Sequence, residues 1–146
     1  MTTPLHLVTQ YSHIDAIRLL IEHGANVNKK NKLEYTPLHI TSRWGHTNTM
    51  QLLIEAGADI NVKGYRGCTP LHEASYRSHI NAMQLLIKHD ADVNKKNNRG
   101  WTPLHEASGN GHTDAIRLLI DTGVNVNEKD NSGWTSLHYA SRRGSY

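Results

Sequence analysis

The strongest constraint on this chain is a tetrapeptide, Thr-Pro-Leu-His, that recurs at a fixed interval. Copies begin at Thr3, Thr36, Thr69 and Thr102, and a fifth at Thr135 reads Thr-Ser-Leu-His. Neighbouring copies lie 33 residues apart, and a period of this length is typical of proteins built from stacked repeats. The chain is therefore expected to form a solenoid, in which each unit buries its apolar side chains against its neighbours.

Each copy has the residues of a helix start. Threonine suits the N-cap because its hydroxyl accepts a hydrogen bond from a backbone N–H that has no partner within the helix. Proline suits the first helical position, where its missing N–H costs nothing. The histidine ring is placed to exchange hydrogen bonds with the threonine or with nearby backbone. The first helix of each unit is therefore predicted to begin at the residue after the threonine.

The apolar pattern predicts a second helix in each complete unit. First helices are expected over 4–11, 37–44, 70–77, 103–110 and 136–143, and second helices over 14–23, 47–56, 80–89 and 113–122. Glycine ends three of the second helices, whereas Asp90 takes its place after the third. Mild strain is expected at Asp90 because aspartate adopts the left-handed conformation less readily than glycine.

The loops between units, called fingers below, span residues 29–35, 62–68, 95–101 and 128–134. Gly67, Gly100 and Gly133 each stand two residues before the threonine of the next unit, and Glu34 takes this place in the first finger. Glycine tolerates the positive φ of tight hairpin turns. We therefore predict hairpin turns in the last three fingers and a looser first finger.

One complete unit shows the density of the motifs. It reads Gly100-Trp101-Thr102-Pro103-Leu104-His105-Glu106-Ala107-Ser108, then Gly111-His112, Leu118-Leu119-Ile120 and Gly123-Val124-Asn125-Val126-Asn127. This unit resembles an ankyrin repeat, and five registers of it cover essentially the whole chain. Ser12 and Ser78 depart from the pattern, since they replace the glycine of Gly-His. The resemblance implies an all-α ankyrin-repeat solenoid of stacked helix-turn-helix pairs with β-hairpin loops.

The units divide the chain into a single domain, 1–146. Repeats are expected at about 1–30, 31–63, 64–96 and 97–129, with a partial repeat at 130–146. Terminal repeats normally need a polar outer face, yet the first unit has the ordinary apolar pattern and the fifth is half a repeat. We therefore expect the chain to be part of a longer array, or its ends to be covered by another molecule.

Composition restricts the environment in which the chain works. Its single cysteine, Cys68, excludes an internal disulfide framework. An N-terminal apolar run and a long apolar span are both missing from the sequence, so neither a signal peptide nor membrane insertion is expected. These features favour an intracellular protein, cytoplasmic or nuclear, or one that works in a host cytoplasm if it is a secreted effector.

Catalysis is not expected, and neither a metal nor a cofactor is implied. Nine of the 11 histidines fall at repeat positions, which favours a structural role over converging zinc ligands. Phosphate-binding and dinucleotide-binding glycine motifs are absent from the sequence. Glu73 and Glu106 recur at equivalent positions, and we expect them to line a surface rather than to form a catalytic pair.

The resemblance also indicates where a partner would bind, because ankyrin arrays build a concave surface from their fingers and the exposed sides of their first helices. The positions expected to bind are Tyr35, Arg43, Trp44, Tyr65, Arg66, Tyr76, Arg77, Arg99, Trp101, Asn110, Trp134 and Arg142, flanked by Gln10, Tyr11, Leu33, Cys68 and Arg143. Tyrosine, tryptophan and arginine dominate binding hot spots. For Trp101 and Trp134, simple packing against the finger stem is an equally open alternative.

The expected function is that of a non-catalytic scaffold for a partner protein or peptide. A basic strip in the first three fingers would favour an acidic partner; it consists of Lys29, Lys30, Lys32, Lys63, Arg66, Lys95, Lys96 and Arg99. Alternatives are weak binding of nucleic acid or an acidic surface, or a targeting role in a larger effector or enzyme. Nucleic acid is disfavoured because the net charge is only +3 and acidic residues interrupt the cationic face.

A modification is also possible at two asparagines. Leu53 to Asn61 and Leu86 to Asn94 follow the same spacing of leucine, aspartate, aliphatic residue and asparagine. This spacing resembles the site that asparaginyl hydroxylases modify in ankyrin repeats, which makes Asn61 and Asn94 candidate hydroxylation sites. The alternative is that both side chains only bond the backbone of their own loops.

Overall fold

The computed structural model describes residues 2–144. Met1, Ser145 and Tyr146, which belong to the first and last predicted units, lie outside this range. The helices are α1 (Pro4–Gln10), α2 (Ile14–Glu22), α3 (Pro37–Trp44), α4 (Thr47–Glu55), α5 (Pro70–Arg77), α6 (Ile80–Lys88), α7 (Pro103–Gly109), α8 (Thr113–Asp121) and α9 (Ser136–Gly144). Every predicted helix is confirmed, and each boundary agrees to within one residue.

The helices form two layers, with the core between them. Each first helix packs on the next, from α1 to α9, and each second helix packs on the next, from α2 to α8. Apolar side chains from both layers are fully buried at the same register, among them Leu38, Leu71 and Leu104 from first helices and Leu53 and Leu86 from second helices. The apolar faces of the helices are thus covered by neighbouring units, as a solenoid requires.

The repeated histidines connect each helix start to the following finger. In the second unit the backbone N–H of Thr36 donates to Nδ1 of His39, and the N–H of His39 lies 3.4 Å from the threonine hydroxyl. Because Nδ1 accepts, Nε2 carries the proton and donates to the Cys68 carbonyl at 3.0 Å. His6, His72 and His105 make the same bond to Tyr35, Trp101 and Trp134. The histidine therefore caps its own helix and holds the next finger.

A second set of histidines bonds in the opposite direction along the chain. Nε2 of His79 donates to the Arg43 carbonyl at 3.0 Å, and His46 and His112 bond the corresponding carbonyls of their preceding units. Glycine suits position 45, because its φ is +71° and an added Cβ would lie 2.7 Å from the His79 ring. Neighbouring units are thus joined by hydrogen bonds at both ends of their first helices.

The fingers turn as hairpins without pairing as strands. Each closes with a bond from its third residue to its last, as in Asn31 N–H to the Tyr35 carbonyl at 2.9 Å. In the first finger Oδ1 of Asn31 accepts two further backbone N–H groups. The predicted hairpin loops are therefore present, and because these local bonds satisfy the backbone, no residue of the described range is assigned to a strand.

Residues with positive φ lie at the predicted turns. Gly67, Gly100 and Gly133 have φ between +75° and +80°, and Glu34 has φ +63° at the same position. Asp90 adopts φ +65° in place of the helix-stop glycine, so the strain predicted there has a backbone basis. Ser12 and Ser78 also take the left-handed conformation of the glycines that they replace.

The last unit is less covered than the others. Leu137 is 73% exposed, whereas the equivalent Leu104 is 4% exposed, because no second helix packs over α9 within residues 2–144. The covered and most regular part of the array therefore runs from α3 to α8.

None of the described helices has the length and apolar character to cross a membrane.

Candidate partner-binding site

The first helices and the fingers enclose an open cleft of about 250 Å³ on the concave side. Its lining consists of Tyr35, Arg43, Tyr65, Arg66, Cys68, His72, Glu73, Tyr76, Asn97, Arg99 and Glu106. Six of the residues that the sequence predicted as partner-binding meet here, from three consecutive units. The repeat itself brings them together, since positions 33 residues apart in sequence become neighbours in the stack.

Tyrosine rings and guanidinium groups form the wall of the cleft. The rings of Tyr35 and Tyr65 lie 6.3 Å apart, and the Arg66 guanidinium lies 5.0 Å from the centre of the Tyr65 ring. Arg66 adopts φ +57° within the short 3-10 helix Tyr65–Gly67, which marks an unusual backbone conformation at the rim. Arg99 lies over Trp101 at 4.0 Å. The rim is thus cationic and its wall aromatic.

Two glutamates lie on the floor of the cleft. They line it, as expected from the sequence, but both are largely buried, with Glu73 6% exposed and Glu106 9% exposed. Burial raises the pKa of Glu73, while Arg43, whose Nη1 lies 3.3 Å from the carboxylate, opposes that rise. Burial, followed by the nearby charge of Glu73, raises the pKa of Tyr35 to about 12. Glu73 is therefore a paired carboxylate.

Glu106 differs because its partner is neutral. The Asn97 amide donates to Oε1 of Glu106 at 3.3 Å, and among residues 2–144 no ion pair involves this carboxyl group. Burial, followed by the nearby charge of Glu73, raises the pKa of Glu106 to about 7, and Arg99 acts in the opposite direction. The floor thus holds a carboxyl group that is close to half ionised at neutral pH.

Asn97 connects this carboxyl group to the third finger. Its Oδ1 accepts the N–H groups of Arg99 and Trp101, which closes the finger. Its amide also lies 3.5 Å from Sγ of Cys68. Burial raises the pKa of the Cys68 thiol to about 11, so the thiol is neutral at physiological pH. The arrangement positions Glu106 but offers no activated nucleophile.

Beside the cleft, an aromatic and arginine cluster is exposed on α3 and α5. The Arg77 guanidinium lies 5.5 Å from the centre of the Trp44 ring and 5.8 Å from that of Tyr76. Trp44 and Tyr76 are 46% and 44% exposed. Tyr76 also lines the cleft, so the cluster and the cleft form one continuous surface. The sequence predicted that these three residues lie on adjacent first helices, and the packing of α3 on α5 brings them together.

The remaining predicted residues lie toward the C-terminal end. Arg142, with Arg143, lines a second recess beside Trp101 and Tyr139. Trp101 is only 9% exposed, its indole N–H donates to Asp130, and its ring centre lies 4.7 Å from that of Tyr139. Packing against the finger therefore describes Trp101 in this structure.

Two further predicted positions do not line this recess. Trp134 is half-exposed, and its ring lies 5.0 Å from that of Tyr139. The side-chain amide of Asn110 bonds the Glu106 carbonyl at the end of α7, so this residue caps a helix within the site. Both remain predictions as partner-binding residues.

Contacts outside the cleft modify two other expectations. Lys30 pairs with Glu34, and Lys96 pairs with Glu128, which partly neutralises the basic strip of the fingers.

Asn61 bridges two units, because its amide donates to the Asp90 carbonyl and its Oδ1 accepts the Asp92 N–H. Hydroxylation of Asn61 and Asn94 stays a prediction.

Glu73, Glu106 and Asn97 are the cleft residues that the sequence reasoning did not select. The signal was available for the glutamates, because the position after the motif histidine reads Leu7, Ile40, Glu73, Glu106 and Tyr139. This position is apolar or aromatic in three units and acidic in two consecutive units, which indicates that the third and fourth units differ from the others in the charge of this surface. In the part of the chain that the structure describes, no group of three or more His, Cys, Asp or Glu residues is placed to hold a metal ion.

Comparison with known proteins agrees with this architecture. A family model described as ankyrin repeats (3 copies) matches residues 1–64 and 71–146, and a second, described as ankyrin repeats (many copies), matches residues 42–87. A search of curated proteins gave no significant match. Ankyrin repeats are generally protein–protein interaction modules and are typically non-enzymatic. The family models together cover almost the whole sequence, and the chain therefore belongs to the ankyrin-repeat family.

Proposed function

We propose that this chain is a non-catalytic interaction module that binds a partner protein or peptide through its concave face. The binding face consists of the cleft together with the cluster of Trp44, Tyr76 and Arg77. The observation that carries the proposal is this cluster, in which two half-exposed aromatic rings flank one guanidinium. Large aromatic side chains and arginine contribute most to binding energy at protein interfaces.

The surrounding charges favour a partner with acidic character. Arg66, Arg77 and Arg99 are exposed, and within residues 2–144 none of them forms an ion pair with a carboxylate. Such charges at the rim of an interface steer association and select the partner more than they add affinity. Because salt screens them, association should slow as ionic strength rises.

The test is capture of partners from the native cell with the full chain as bait. The wild type is compared with Trp44→Ala and Arg77→Ala, and with the outer-helix controls Arg18→Ala and Lys88→Ala. Truncating an anchor should cost about 2 kcal/mol or more of binding, whereas the controls should bind like the wild type. Mass spectrometry identifies the partner, calorimetry gives its affinity, and circular dichroism checks the fold.

The controls also decide the outcome. A partner whose affinity is unchanged in both concave-face variants would show that the wrong surface was chosen. Equal loss of binding in the controls and the concave-face variants would show that the substitutions act through the fold rather than through contact.

A further inference from the structure

The starting observation is an imbalance of charge at the floor of the cleft. Glu106 is buried and lines an open cleft, and among residues 2–144 its carboxyl group has a neutral amide as hydrogen-bond partner and forms no ion pair. Buried acidic side chains are almost always paired with a cation or a metal. Its neighbour Glu73 shows the usual solution, because Arg43 lies within 3.3 Å of that carboxylate. Within residues 2–144, therefore, neither the floor nor the wall of the cleft supplies a cation that forms an ion pair with Glu106.

We propose that the cleft accepts one basic side chain of a partner segment whose neighbouring residues are acidic. This inference rests on the proposed function, since it names the chemistry of the partner at the same concave face. The basic group enters between the tyrosines and reaches Glu106. The flanking acidic groups of the partner remain at the rim, beside Arg66, Arg77 and Arg99.

The chemistry of the cleft fits one cationic group. An ammonium group has three donors, and the floor offers acceptors from Glu106 and from the paired Glu73. The rings of Tyr35, Tyr65 and Tyr76 line the path, and aromatic faces attract cations, more so where water is excluded. A volume of about 250 Å³ suits a single side chain rather than a folded element.

The rim excludes a uniformly basic partner. Arg66 and Arg99 lie over aromatic rings at the cleft entrance and would repel a second basic residue near the first. The same two groups attract acidic residues on either side of the inserted one. The surface therefore favours a partner segment with one positive charge between negative ones, because Glu106 attracts the basic residue while Arg66 and Arg99 repel further basic residues.

The charged and titratable groups that line the cleft with Glu106 set the expected pH dependence. They are Glu73, His72 and Tyr76 on α5, Arg43 on α3, Tyr35 in the first finger, Tyr65, Arg66 and Cys68 in the second, and Arg99 in the third. Burial lowers the pKa of His72 to about 4 and raises that of Cys68 to about 11, so both are neutral between pH 6 and pH 8. Glu106, with a pKa of about 7, changes charge in this window.

The sign of the pH effect follows from the charge of the ligand. A lysine remains protonated at pH 8, whereas Glu106 must be ionised to pair with it. Binding should therefore tighten as pH rises from 6 to 8, by up to about tenfold for a group that titrates near 7. A ligand that bound through an anion would give the opposite trend.

The experiment uses the whole chain and four synthetic peptides, followed by NMR of the ¹⁵N-labelled protein. The first peptide is acetyl-Gly-Asp-Glu-Lys-Glu-Asp-Gly-amide. The second carries Nε-acetyl-lysine at the centre, the third carries arginine there, and the fourth has inverted charges, acetyl-Gly-Lys-Lys-Glu-Lys-Lys-Gly-amide. The reporter is the side-chain amide signal of Asn97, which bonds Glu106. Each titration is run at pH 6 and pH 8.

We expect the lysine peptide to shift the Asn97 amide signal and to bind about tenfold more tightly at pH 8 than at pH 6. Acetylating the lysine should weaken binding at least tenfold. The arginine peptide shows which of the two basic side chains fits better, and binding by either supports the inference. Glu106→Gln should remove both the binding and its pH dependence. Glu128→Gln, at an exposed finger carboxylate paired with Lys96, should bind like the wild type.

Three results would overturn the inference. They are tighter binding of the charge-inverted peptide, equal binding of the acetylated peptide, and no shift of the Asn97 signal by the lysine or arginine peptide. Dependence of partner capture on Trp44 and Arg77 would survive any of them, so the proposed function would still stand. If the lysine peptide binds but partner capture does not depend on Trp44 and Arg77, these two residues are not anchors, and the inference about the cleft still stands.

Discussion

His72 and Glu73 are adjacent in sequence, and both are buried and line the cleft, yet their polar groups are satisfied in different ways. Both ring nitrogens of His72 have partners within the stack, at Thr69 and Trp101. Glu73 needs Arg43 to balance its charge. The next unit repeats the contrast more sharply, since His105 is bonded on both nitrogens while Glu106, among residues 2–144, bonds a neutral amide and forms no ion pair.

This contrast separates the scaffold from the site. Among the described residues, no fully buried side-chain nitrogen or oxygen lacks a hydrogen-bond partner, which is the usual condition of a stable interior. On the concave side, by contrast, the carboxylate of Glu106 forms no ion pair within residues 2–144. A buried charge without a partner destabilises the fold, and such perturbed groups are most often found where they serve a function. Perturbed groups whose polar atoms are satisfied within the array thus indicate structure, whereas those whose charge the array leaves unbalanced indicate recognition.

The largest expected effect is acid unfolding through the stacking side. Burial lowers the pKa of His39 and His72 to about 4, while the unfolded value is near 6.5. Between these values the unfolded chain binds more protons, so the free energy of unfolding should fall as pH drops from 6.5 to 4, by roughly 3 kcal/mol for each histidine. Urea denaturation at intervals of pH measures this. Constant stability across the window would contradict the assignment.

Glu106 contributes with the opposite sign in that experiment. Its raised pKa means that the folded state holds a proton up to about pH 7. The unfolded state releases that proton near pH 4.5, so this group favours folding at the acidic end. Repeating the denaturation series with Glu106→Gln should therefore make the acid unfolding steeper.

A smaller effect is expected from removing one stacking histidine. His72→Ala leaves the Thr69 cap without its ring partner and opens a cavity, which should cost about 3 kcal/mol. The matched control is His138→Ala, at the equivalent but exposed position of the last unit, which should cost less than about 1 kcal/mol. Similar losses in both variants, measured by urea denaturation at pH 7.5, would show that burial does not decide the role of this histidine.

The concave side should respond in the opposite direction. Glu106→Gln replaces a buried carboxyl group with a neutral group of similar size and should stabilise the chain by about 2 kcal/mol at pH 8. At pH 5 the gain should disappear, because the carboxyl group is then protonated in the folded state. Thermal melting at the two pH values gives the comparison. Destabilisation at pH 8 would mean that this carboxylate is paired in solution.

The smallest effect concerns bonds between units at an exposed edge. Asn61 donates to the Asp90 carbonyl at 3.1 Å and accepts the Asp92 N–H at 2.7 Å. In the described residues the Asn94 side chain makes no corresponding bond. Asn61→Ala should therefore cost about 1 kcal/mol, and Asn94→Ala close to none. Equal melting temperatures for the two variants would show that solvent-exposed bridges add little to the buried histidine network.

Sequence reasoning was most successful where the physics is local. The helix starts follow from threonine, proline and histidine at consecutive positions, and the turns follow from residues that tolerate positive φ. The cluster of Trp44, Tyr76 and Arg77 was also predictable, because a fixed repeat period converts sequence register into spatial adjacency. The fingers form the hairpin loops that the resemblance implied, and in three of them the Asn31, Asn97 or Asp130 side chain accepts backbone N–H groups that a strand ladder would use.

What the sequence by itself determined is the array, namely the period, the helix pairs and the surface on which the variable residues lie. Each of these depends on interactions within a few residues, repeated at the same register. The tertiary structure alone decided which side chains on that surface are buried and with what partner. Trp101 became a packing residue and Glu106 an unpaired acid because burial depends on contacts between units, and the desolvation of a charge depends on every group around it.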